Sequence, residues 1–190
     1  MDFTKIPELP KSSLKRMKAI FLLLLLAAAP VFAAEPAPQL DPNLQALAPF
    51  LGGWRGEFKS STAENPMVDV ARWERALNGK AVRTIHSIND GIYGGESIVT
   101  WDAEKKEIIY HYFTTAGFQS KGTMKVNGKT LECHEVITGN AGGTTEVNGR
   151  FELKDDGTMQ SSSKYLREGA WQDGHQVSYK RVADARPKFK

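Results

Sequence analysis

Residues 118–137 read FQSKGTMKVNGKTLECHEVI. Phe118, Gly122, Met124 and Val126 alternate with Gln119, Lys121, Thr123 and Lys125. A period of two predicts a half-buried strand. Asn127-Gly128 follows, a pair suited to a two-residue hairpin turn because its residues accept positive φ. With Val126 and Lys129 flanking that turn, Met124 faces Leu131, Gly122 faces Cys133, Ser120 faces Glu135 and Phe118 faces Ile137. This face is apolar except for Ser120 and Glu135. A carboxylate on a core face is costly unless something solvates or pairs it, so Glu135 is the first functional clue.

The same patterning extends over most of the chain. Asp41 or Asn43 caps a short helix over residues 44–51, with Leu44, Leu47 and Leu51 at helical spacing, and Gly52-Gly53 ends it. Strands are predicted over residues 54–60, 67–77, 80–88, 96–101, 107–114, 144–153 and 158–167, with a last one within 170–182. Asn78-Gly79 sets a hairpin in which Glu74 and Arg83 pair on the outside, while Trp73, Ala71, Thr84 and His86 face inward. A loop at Asp155-Asp156-Gly157, with Gly157 left-handed, pairs Leu153 with Met159, Phe151 with Ser161 and Gly149 with Ser163. In the last strand Trp171, His175, Val177 and Tyr179 share a parity. Asn89 to Gly95 is a glycine-rich candidate portal loop. About ten next-neighbour strands without a long crossover predict an all-β, up-and-down antiparallel barrel, which removes sheet edges by closing.

Propagating the register outward brings chemistry-bearing residues together. A four-residue turn at 114–117 places Phe113 opposite Phe118 and His111 opposite Ser120. A turn at 103–106 places Ile98 opposite His111 and Glu96 opposite Phe113. The inward face then holds Glu96, His111, Ser120 and Glu135, with Tyr110 and Tyr112 outside. A one-residue change in either turn would send His111 outward. The expected ligand-contacting set is Glu96, Ile98, His111, Phe113, Phe118, Ser120, Met124, Glu135 and His86. Four uses of this row stay open. It could form a Ser–His–Glu relay, although no G-x-S-x-G elbow accompanies it. It could supply a metal or haem site through His111 with His86 or His175; a haem needs only one histidine. It could be the polar patch of an apolar ligand cavity, or a watered internal network without ligand. His134 is read as solvated on the outer face.

Charge and the N-terminus change this picture. Of 190 residues, 25 are Lys or Arg and 22 are Asp or Glu. Lys11, Lys15, Arg16 and Lys18 precede an apolar run over residues 19–29, followed by Pro30 and Val31-Phe32-Ala33, a cleavage-site pattern. Residues 1–33 are therefore expected to be a signal peptide, with Met17 as an alternative start, and the protein to be periplasmic or secreted. That segment carries five basic residues and two acids, so the remainder balances at 20 of each. The basic balance sits in the leader, and nothing supports a nucleic-acid surface. A Pro-rich tether over 34–43, a barrel domain over 44–183 and a basic tail over 184–190 complete the division. One cysteine, Cys133, rules out an intramolecular disulfide; it is expected buried and inert.

Gly52-Gly53-Trp54 enters the first strand, and Tyr179-Lys180-Arg181 closes the last. These motifs resemble the calycin superfamily of lipocalins, fatty-acid-binding proteins and nitrobindins. The resemblance implies that Trp54 plugs the closed end of a barrel and Arg181 packs across it. LAPFLGGWRGEF, RWERALNGKAVR, ESIVTWDAEKKEIIYHYF and VSYKR are more similar to bacterial secreted lipocalin-like proteins of unknown function. Arg55-Gly56-Glu57-Phe58 departs from the nitrobindin start. The expectation is a secreted barrel binding a small apolar or amphipathic molecule, with no membrane span after leader removal and no obligatory cofactor. The alternatives are a barrel enzyme using His111 and Glu135 as acid and base, and a solid-core structural or interaction protein.

Overall fold

The structure is a computed structural model that describes residues 39–190. The expected leader and the first part of the tether lie outside the described residues. A 3₁₀ helix, Pro42–Phe50, comes first. Asp41 caps it by accepting from the Asn43 amide at 3.0 Å, and Pro42 occupies a first-turn position where no donor is needed. Three residues per turn align Leu44, Leu47 and Phe50 on one side, and all three are fully buried. An α-helical spacing would have chosen Leu51; the tighter winding puts Phe50 in its place.

Ten strands follow in chain order: β1 (Gly52–Phe58), β2 (Val68–Ala76), β3 (Ala81–Ile88), β4 (Tyr93–Asp102), β5 (Glu107–Thr114), β6 (Gln119–Asn127), β7 (Thr130–Thr138), β8 (Thr144–Leu153), β9 (Met159–Arg167) and β10 (Ala170–Arg181). Each pairs antiparallel with the next, and β1 also pairs with β10, so the sheet closes into an up-and-down barrel. The outer face carries charge, including Arg83, which bridges Glu74 at 3.2 Å and Glu96 at 2.7 Å. Among the described residues no helix is long and apolar enough to cross a membrane.

One end of the barrel is sealed. Trp54 is fully buried, and its indole N–H donates to the Phe50 carbonyl at 2.9 Å. The Arg181 guanidinium lies 4.2 Å from the Trp54 ring centroid and donates to the Leu51 carbonyl at 2.7 Å, tying the last strand to the end of the helix. Val82, Val99, Leu131 and Met159 complete this dry layer. The tail over 184–190 lies against the outside of the barrel: Arg72 donates to the Ala185 carbonyl, and the Lys188 amide donates to Ser87.

The hairpin registers decide which residues face the bore. The β2–β3 register is as expected, with Glu74 opposite Arg83. So is β8–β9, with Phe151 opposite Ser161 and Gly149 opposite Ser163. In β6–β7 the pairing is displaced by two residues, with Asn127 opposite Thr130 and Gly122 opposite Glu135. A shift of two preserves every face. In β5–β6 it is displaced by one: His111 lies opposite Lys121 and Tyr112 opposite Ser120. The turn is a three-residue loop, with the Thr114 amide donating to the Phe118 carbonyl and Gly117 at φ 84°. Gly117 takes the left-handed position of that loop, and every side chain of β5 changes face. In β10 a register irregularity between Asp173 and Gln176 leaves His175, Val177 and Tyr179 on the bore, with Trp171 exposed near the strand's start.

Candidate functional site: an open cavity in the barrel

Above the sealed layer the bore opens into a cavity of about 450 Å³. Its size follows from the residues around it. Gly149, Ser161 and Ser163 all line it and fill little volume. The walls are apolar and aromatic, with Phe58, Trp73, Phe118, Met124, Ile137 and Phe151 among them. The volume falls within the ~300–1,000 Å³ of ordinary small-molecule pockets.

Of the expected site residues, His86, Phe118, Met124 and Glu135 line the cavity, and Ser120 is buried behind its wall, bonded to Glu135. The other four lie on the outside. His111 points outward beside Lys121 and is exposed. Phe113 is on the same outer face, 51 % exposed. Glu96 and Ile98 sit opposite Phe113 and His111 as expected, so they follow β5 to the outside; Glu96 is held there by Arg83, which keeps its carboxyl below the usual range. The cause of all four corrections is that the 115–117 loop has three residues where four were expected. The same change brings Tyr110 and Tyr112, expected outside, into the cavity. A transverse His111–Ser120–Glu135 relay does not form, and His111 and Glu135 stand on opposite faces of the wall.

Glu135 keeps its expected position. The Ser120 hydroxyl donates to it, and the Tyr110 hydroxyl and Cys133 thiol lie beside it. Burial raises the Glu135 carboxyl above its ordinary pKa, with the Ser120 and Tyr110 hydroxyls opposing the shift. Burial also pushes the Cys133 thiol up to about 12, so it is a protonated, unreactive group.

A second polar chain crosses the cavity. Tyr93 and Tyr112 hydroxyls are 3.1 Å apart, Tyr112 is 2.7 Å from His86 Nε2, and His86 Nδ1 is 3.0 Å from Asp69. The Tyr179 hydroxyl donates to the other Asp69 oxygen at 2.6 Å. An ionised Asp69 only accepts. His86 Nδ1 therefore donates to it, and in a neutral ring Nε2 accepts from Tyr112. Gly95 makes the Tyr112 placement possible, since a Cβ there would lie 2.3 Å from the Tyr112 ring. Burial raises the Tyr112 phenol well above its ordinary pKa, so it is a donor rather than a base. At the rim, Tyr165 is 2.6 Å from His175 Nδ1 and 3.1 Å from Ser163. Arg167 donates to Thr144 at 2.7 Å and stands 5.2 Å from the Tyr165 ring centroid.

The sequence reading missed Asp69, Tyr93, Tyr112, Tyr165 and Arg167 as cavity residues. The signal for Tyr112 was present in the Thr-Thr-Ala-Gly loop, read one residue too long. Among the described residues no group of three or more His, Cys, Asp or Glu side chains is placed to hold a metal ion. No protein-family model matches the chain, and no curated protein matches it with significance.

Proposed function

We propose that the protein is a secreted, calycin-like binding protein that holds a small amphipathic molecule in the open half of its barrel. The observation that carries this is the 450 Å³ cavity, apolar over most of its wall and polar at a few placed groups. A barrel of about eight strands is just wide enough for side chains to fill, and diameter grows with strand number; ten strands leave room that the sealed layer fills and the upper layer does not. The Trp54–Arg181 closure supports the calycin comparison, because the two residues the resemblance picks out meet at the plugged end. Without His111 at the cavity, the acid–base enzyme has no partner for Glu135, and binding is the better account.

Native mass spectrometry with a visible absorption scan, on protein from its host's envelope fraction, tests this reading. A retained small-molecule mass that is lost on denaturation is the expected result. A Soret band would replace the amphipathic ligand by haem held through His86 or His175. An apo mass, with no thermal shift from lipid and metabolite panels, would sink the reading.

A further inference from the structure

Among the described residues, five Asp, Glu, Arg or His side chains line the cavity: Asp69, His86, Glu135, Arg167 and His175. All have polar partners, which differ in kind. Asp69 is 3 % exposed, and its two oxygens are taken by His86 and Tyr179. Arg167 is at the rim, on Thr144 and the Tyr165 ring. The two histidines each bond a tyrosine hydroxyl. Glu135 differs. It meets only uncharged groups, Ser120, Tyr110 and Cys133, and it takes part in none of the ion pairs among the described residues.

We propose that the ligand is an amine-bearing amphiphile whose ammonium group pairs with Glu135 while its apolar part lies along the aromatic wall. The proposal rests on the binding reading above. A carboxylate has about four acceptor positions, and Ser120 and Tyr110 leave some of them facing the cavity. An unpaired buried charge is costly, whereas a paired and hydrogen-bonded one is tolerated. The ligand's cation would supply what the protein withholds. Burial raises the Glu135 carboxyl above its ordinary pKa, and a bound ammonium group would lower it again. The neighbouring rings suit a cation too: Tyr93, Tyr110, Tyr112 and Phe118 line the same cavity, and aromatic faces attract ammonium groups. A carboxylate-headed amphiphile placed there would oppose ionisation of Glu135 and offer it no cation. Among the described residues the one Lys or Arg lining the cavity is Arg167, at the rim against Thr144 and the Tyr165 ring.

The test is displacement of an uncharged fluorescent probe, N-phenyl-1-naphthylamine, by decylamine, decanol and decanoate at neutral pH. Decylamine is expected to displace it at least about tenfold more tightly than decanoate, a difference of about 1.4 kcal/mol, with decanol between. Glu135→Gln is expected to lose the preference for amine, with decylamine and decanol then displacing bound probe about equally. Equal displacement by all three, or strongest displacement by decanol or decanoate, would overturn the amine proposal and leave a binding cavity. Failure of the probe itself to bind would overturn both. Should Glu135→Gln not fold, the ranking on the unaltered protein still decides.

Discussion

The two halves of the barrel use the same strands for different ends. At the sealed end, Trp54, Val82, Val99 and Leu131 are wholly inaccessible, with Phe50 packed behind them from the 3₁₀ helix. At the open end, Tyr93, Glu135, Ser163 and Tyr165 keep part of their surface accessible although they face inward. The sealed half carries bulky apolar groups, and its polar contacts reach backbone carbonyls. The open half carries serines, glycines and tyrosines, and its polar contacts link side chains to one another. Burial energy therefore belongs mainly to the first half, and the proposed recognition to the second.

The comparison predicts a steep gradient in mutational cost. Trp54→Ala should be the most damaging change, costing about 3–5 kcal/mol by urea denaturation. That is a large share of an ordinary domain's total of ~5–15 kcal/mol. Leu131→Ala, also in the sealed layer, should cost about 2–5 kcal/mol. A cost near zero at either position would mean that the sealed half is not the source of stability.

In the open half the effects shrink. Tyr112→Phe removes the donor to His86 Nε2 and should cost about 1 kcal/mol, the ordinary net worth of a hydrogen bond; a cost matching Leu131→Ala would make the tyrosine chain a core element. Glu135 gives a pH signature. Its folded-state pKa is raised, so the folded protein holds the proton more tightly than the unfolded chain. Stability from this group is present below the unfolded value and falls as pH rises through it toward the folded value. Glu135→Gln should flatten that part of the stability–pH curve, and an unchanged curve would show that Glu135 is not desolvated. His111→Ala, on the outer surface, should change stability by less than about 0.5 kcal/mol and leave probe affinity unaltered.

The architecture was legible because period-two alternation and turn residues are local. The strand count, the closure and the inward face of β2, β3, β6, β7, β8 and β9 follow from them. The site was legible only where the turns were read correctly. At 155–157 a three-residue loop with a left-handed glycine set the register, and Gly149 opposite Ser163 is where it was expected. At 115–117 the same device occurs with Gly117, and a four-residue turn in its place turned β5 inside out. His111 and Tyr112 are both amphipathic, so β5 itself offered no strong preference between faces. Asp69 was illegible for another reason: its partner Tyr179 comes from the far end of the chain, and only closure of the barrel through β1 and β10 brings the two together.

The proposed binding requires an upper barrel that is hollow and takes an apolar guest. Titrating N-phenyl-1-naphthylamine into the protein and into Ser161→Phe tests it most directly, because Ser161 lines the cavity. The account predicts saturable one-to-one fluorescence enhancement in the unaltered protein, and its loss in the variant with stability kept or raised, since the added ring fills empty space. No enhancement in the unaltered protein, with Ser161→Phe destabilised by the ~1–3 kcal/mol typical of overpacking, would contradict it and show a barrel that is solid throughout.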